Sequence, residues 1–187
     1  LISQKNVDDL DYSTVFWINL LIGIILAFIF YSSRILISKF YNEPVLENLI
    51  SVISILFVIQ AFNFVQVIIL KKKLEYQKLS IVGVSSVIFS GAIGVILAIK
   101  GFGVWSLIIK DLALATVYLV LIWRLSNWRP SFKFSFIRFK FYLKSGFALI
   151  GTKLVTYFSK NIDNILIGKF LGASPLGIYN RAYSFMT

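Results

Sequence analysis

The apolar residues of this chain arrive in unbroken blocks about as long as a bilayer is thick, which leaves little choice of fold. A helix needs about 20 residues to cross roughly 30 Å of hydrocarbon. Blocks of that length run over about 15–38, 45–70, 79–99 and 104–125. With 58% hydrophobic and only 14% charged residues, the 187-residue chain has too little polar surface to clothe a water-soluble domain. Within lipid each block must satisfy its own backbone hydrogen bonds, so the expected class is an all-α integral membrane protein.

The breaks between blocks carry ordinary stop signals. After an acidic lead-in of Asp8, Asp9 and Asp11, the Ser13-Thr14 pair is expected to cap a first helix that starts at Val15. Pro44 in Tyr41-Asn42-Glu43-Pro44 ends that helix and pre-sets the next. Lys71-Lys72-Lys73 closes the second block, and the glycines of Lys100-Gly101-Phe102-Gly103 make a tight turn after the third.

The stretch 126–143 is different. From Trp128-Arg129-Pro130 onward it alternates aromatic and polar residues, then adds Arg138 and Lys140 among more rings. Alternation suits a short strand; rings and cations between two apolar runs suit a segment lying in the membrane interface, which is the favoured reading. A fifth run over about 145–170 is long enough to span but more polar. A turn at 172–177 then leads into a helix expected from Ile178. The chain opens on Leu1 and closes inside that helix, so an internal fragment without a signal peptide is expected.

The net charge of +11 is gathered in connections rather than along one face. Antiparallel threading puts the basic loops 71–78 and 124–144 on one side, with Arg34, Lys39 and Lys100 on the other. The excess assigns the first side to the cytoplasm and leaves nucleic acid without an argument as a partner. Cysteine and histidine are absent, so no disulfide, no imidazole or thiolate metal site and no histidine acid–base chemistry is expected, nor any cofactor. Short outer connections leave little room for a folded catalytic domain, so transport rather than catalysis is expected.

Charges at membrane depth cost at least about 2.5–3.5 kcal/mol each on insertion scales. At about 100° per residue, Lys153, Tyr157, Lys160 and Asn164 share one arc of the fifth run, flanked by Asn161 and Asp163, opposite Val155, Phe158 and Ile162. One reading is a cationic cavity wall; the other is a Lys160–Asp163 ion pair with Lys153 snorkelling to the interface. Asp111 lies at a depth that suits either a contact with Lys160 or an acidic site for a coupling ion, while Lys110 reaches the interface. Gln60, Asn63 and Gln66 read as hydrogen-bond glue between helices, with substrate contact as the alternative, and Ser86, Ser90 and Gly94 as a small-residue packing ridge. Gly168 and Gly172 read as a turn at a helix end.

The string from Ser159-Lys160-Asn161-Ile162-Asp163-Asn164 to Gly172, then Leu176-Gly177-Ile178-Tyr179-Asn180-Arg181, resembles the Wzx-like polysaccharide flippases of the multidrug/oligosaccharidyl-lipid/polysaccharide exporter superfamily. Gly101-Phe102-Gly103-Val104-Trp105 and Trp128-Arg129-Pro130 resemble the same family upstream. Such proteins have two helical lobes. The resemblance implies a partial bundle: four complete spans of a first lobe in 1–125, a basic cytoplasmic interlobe linker in 126–143, and in 144–187 the first span and the start of the second span of the next lobe.

It also implies a multi-pass protein of the bacterial inner membrane. There it would flip an undecaprenyl-diphosphate-linked oligosaccharide by alternating access, in company with membrane lipids, a proton or sodium gradient and polysaccharide assembly partners. The substrate cavity would take Lys153, Tyr157, Lys160, Asn161 and Asn164, with Asp111 and Asp163 for ion coupling or pairing. An exporter of lipid II-like or multidrug substrates is the alternative on the same fold, with a membrane polymerase or ligase behind it. The Lys110-Asp111 pair has no counterpart in the family's pattern.

Overall fold

Six helices follow one another among the described residues: α1 (Asp9–Tyr41), α2 (Val45–Lys72), α3 (Tyr76–Ile99), α4 (Trp105–Leu125), α5 (Phe136–Phe170) and α6 (Ala173–Tyr183). They come from a computed structural model that describes residues 7–183, with the side chains of 143–150 excepted. Helices α1 to α4 are long and apolar enough to cross a membrane, and no strand occurs among the described residues. Large apolar side chains such as Phe28 and Leu36 on α1 and Ile88 on α3 are turned outward, 70%, 71% and 67% exposed. In water that surface would aggregate; in lipid it is the solvated face. The chain is an all-α membrane protein.

Helix α1 begins earlier than the Ser13-Thr14 pair suggests. Asp8 is the cap: its Oδ1 accepts from the backbone N–H of Asp11 at 3.1 Å, and the Asp11 carboxylate accepts from the Asp8 N–H at 3.2 Å. This reciprocal box satisfies the first turn and leaves both hydroxyls inside the helix. At the other end Asn42 takes the left-handed conformation at φ 56°, so the helix stops one residue pair ahead of Pro44. Gly101 and Gly103 both have positive φ (80° and 54°), as the tight return between α3 and α4 requires.

Without a hydrophobic drive between helices in lipid, close packing decides which helices pair. Helix α1 lies against α2, α3 against α4, and α2 against α4. At Gly23 an added Cβ would stand 2.7 Å from the Ala61 Cβ, so the α1–α2 approach depends on having none. The expected ridge on α3 is a packing face: Ser86 and Ser90 are buried, and the aliphatic stem of Lys110 crosses α3 at Gly94. Two buried clusters, one around Phe16, Val65 and Ile69 and one around Leu70, Val82 and Ile122, close the bundle at the end bearing Lys71–Lys73.

Residues 126–135 run as an extended strap across that end. The Trp17 indole donates to the Ser131 carbonyl at 2.9 Å, the Ser131 N–H donates to the Ser13 hydroxyl at 3.1 Å, and the Ser135 N–H donates to the Thr14 hydroxyl at 3.2 Å. Arg129 turns back onto α4, donating to the Trp123 carbonyl at 2.9 Å and the Ser126 carbonyl at 2.6 Å, two acceptors at the helix C-terminus. Helix α5 then starts at Phe136, within the stretch expected to be linker, and α6 starts at Ala173 rather than Ile178.

Candidate polar face on α5

Helix α5 is 35 residues long, about 52 Å at 1.5 Å per residue, and matches the 33 residues of α1. It is tied to α1 at both ends. Near its start Arg138 pairs with Asp8, and with Asp11 at 2.7 Å. Near its finish Lys169 donates to the Phe40 carbonyl and sits 4.7 Å from the centre of the Phe40 ring. The two anchors fix α5 parallel to α1 along the length of the bundle.

Between the anchors α5 stands clear. Every residue from 151 to 160 is exposed, Lys153, Tyr157 and Lys160 among them. Among the described residues neither lysine has an ion-pair or hydrogen-bond partner. The apolar side is equally uncovered, with Val155 and Phe158 more than half exposed. An amphipathic helix in this state presents one face suited to lipid and one suited to something polar.

Nearer its C-terminus the helix is partly covered. The Asn161 amide donates to the Tyr157 carbonyl at 2.8 Å, Asn164 reaches the Asn161 oxygen at 3.5 Å, and the Asn164 oxygen itself is buried without a donor. Asp163 accepts from the Tyr179 phenol of α6 and from the Asn164 N–H at 2.9 Å. The structure therefore gives Asp163 a tyrosine rather than Lys160, and both lysines stay available. In the sequence Tyr179 is one residue of the Leu176–Arg181 motif; its contact with Asp163 depends on α6 folding back, which no local spacing reveals.

Asp111 lies elsewhere. It pairs with its neighbour Lys110 at 2.9 Å, and among the described residues α4 makes no contact with α5, so Asp111 and Lys160 are not brought together. Gly168 is helical, not part of a turn: an added Cβ there would meet the Tyr41 ring at 3.1 Å and Leu176 at 3.2 Å. The turn belongs to Gly172, at φ 88°. Of the expected glue residues, Gln66 reaches the Trp128 carbonyl of the strap at 3.4 Å, while Gln60 and Asn63 bond to no other helix among the described residues.

The family described as polysaccharide biosynthesis protein matches residues 1–187. Among curated relatives, the teichuronic acid biosynthesis protein TuaB of Bacillus subtilis is 30% identical, over 100% of this chain and 39% of its own length. The succinoglycan biosynthesis transport protein ExoT of Rhizobium meliloti is 25% identical, over 99% of this chain and 37% of its own. The lipopolysaccharide biosynthesis protein WzxC of Escherichia coli is 25% identical, over 98% and 38%. The chain thus spans less than half the length of these relatives. No solved structure matches it.

Proposed function

The chain belongs to the polysaccharide biosynthesis protein family, and from that premise we propose that the protein is a transporter, not an enzyme, that flips a lipid-linked oligosaccharide across the bacterial cytoplasmic membrane. The observation that carries the reading is the unpaired cationic arc of α5, held between two anchors with Lys153 and Lys160 uncommitted. An undecaprenyl diphosphate offers the anionic oxygens that two ammonium groups would bind, and charge-assisted hydrogen bonds are the strong ones. The relative ExoT, named a transport protein, points the same way.

In this reading α5 is the first span of a second lobe and 126–143 the cytoplasmic connection between lobes. The support is geometric: α5 runs the length of α1, from the end with Asp8 to the end with Phe40. The basic loops 71–78 and 124–144 then face the cytoplasm. Alternating access follows if the second lobe rocks against α1 to α4, exposing the arc to either side in turn. Asp111 and Asp163 are committed to Lys110 and Tyr179 in this conformation, so a coupling ion would have to displace one of those partners.

The test is Lys153→Ala with Lys160→Ala in the complete gene product. Insertion is expected to be normal, and surface polysaccharide to fall at least about tenfold, since each lost charge-assisted bond is worth roughly 1.5–3 kcal/mol. Unchanged surface polysaccharide would remove the arc from the mechanism.

A further inference from the structure

A second polar surface lies away from α5, in a cavity of about 500 Å³ between α2 and α4. Gln60, Asn63 and Lys71 of α2 and Tyr118 of α4 line it, with Phe64 and Leu114 among its apolar walls. The volume is that of a small-ligand site. What sets it apart is unspent hydrogen-bonding capacity. Among the described residues none of these four polar side chains has a hydrogen-bond or ion-pair partner. Asn63 is only 8% exposed, and its carboxamide oxygen is buried without a donor. A buried amide left unpaired is costly, more so in an apolar surround, so packing alone gives no reason for Asn63 at this depth.

From this convergence we infer that the α2–α4 cavity is a binding site for the saccharide portion of the substrate, separate from the cationic arc of α5. The chemistry selects the ligand class. Two carboxamides and a phenol each both donate and accept, which matches sugar hydroxyls. Lys71 is eight residues from Asn63, about 12 Å along the helix, so the cation sits apart from the neutral groups. A free anion would use Lys71 and leave the amides idle, and a lipid tail would leave all four idle. A saccharide uses the amides and the phenol through its hydroxyls, with Lys71 left for the carboxylate of an acidic sugar, its C–H faces lying on Phe64. The same side chains explain why α2 carries Gln60 and Asn63 without bonding another helix through them.

The inference rests on the proposed transport of a lipid-linked oligosaccharide, and its test separates the two. The chain has no cysteine, so Val67→Cys, between Asn63 and Lys71 on the cavity wall, gives a single reporter once the complete protein is cysteine-free. The probe is the oligosaccharide released by mild acid from the host's own lipid carrier. Maleimide labelling of the Val67→Cys thiol is expected to slow at least fivefold with that probe and not with inorganic diphosphate. Adding Asn63→Leu and Tyr118→Phe should abolish the protection. A thiol that never labels, labels at the same rate with the saccharide, or is protected equally by diphosphate overturns the site. Because the first measurement leaves the polar side chains intact, misfolding of the Asn63 and Tyr118 variants does not spare it. Loss of the site with translocation of the lipid-linked oligosaccharide intact refutes this inference alone; protection without translocation refutes the transport reading.

Discussion

Single side chains matter here chiefly where helices touch. Gly23 is held between Ala61 and the Phe57 carbonyl, 2.9 Å from where its Cβ would be, whereas Gly83 and Gly91 have nothing within 4 Å. Gly23→Val is expected to cost about 1–3 kcal/mol through overpacking, seen as an earlier loss of tryptophan fluorescence on heating the purified complete protein. Gly91→Ala, in open space on a helix, should cost nothing; an equal loss in both would show that α1 and α2 do not meet at Gly23. Nothing in the sequence separates these glycines, since all three stand in apolar helical runs and the distinction lies in the facing helix. Ser13 and Thr14 teach the same lesson. Their spacing suits a cap, but the acceptors they supply are used by Ser131 and Ser135, more than a hundred residues away.

At the scale of elements, the strap 126–135 and the first turns of α5 are fastened to α1. Its alternation of rings and polar residues, which suggests a strand, has another cause: Ser131 and Ser135 bond to α1 hydroxyls while Phe132 stacks on Trp17 at 5.6 Å. Removing the acceptors with Ser13→Ala and Thr14→Val is expected to speed trypsin cleavage after Lys133 severalfold in the complete protein; unchanged cleavage would mean the strap is held by its rings alone. Arg138 completes the fastening. Its guanidinium, donating to Asp8, holds that carboxyl well below the usual carboxylate range, with Asp11 adding to the effect. A depressed carboxylate contributes stability above its unfolded value, near 3.9, and loses it as pH falls through the folded one, which lies well below the usual carboxylate range. The ratio of cleavage rates between wild type and Arg138→Ala should therefore hold constant from pH 8 to pH 6. A ratio that collapses toward one over that interval would show that Asp8 is not the partner that matters.

For the whole molecule, the apolar blocks made the four spans legible because bilayer thickness and helical rise admit few solutions. The arc of Lys153, Tyr157 and Lys160 was legible too, being a matter of helical period within one element. What they face was not. Whether α5 lies along α1 or α4 depends on the Asp8–Arg138 and Phe40–Lys169 anchors, which join residues 130 and 129 positions apart. That placement leaves the arc uncommitted, and an uncommitted cationic arc on a helix as long as α1 is what the transport reading needs. It is tested most directly in vesicles holding the complete protein and an undecaprenyl-diphosphate-linked oligosaccharide, by following the rate at which the sugar becomes accessible to periodate on the opposite leaflet. Accessibility well above that of protein-free vesicles, reduced at least about tenfold by Lys153→Ala with Lys160→Ala, is the predicted result. A rate equal to that of protein-free vesicles would contradict it.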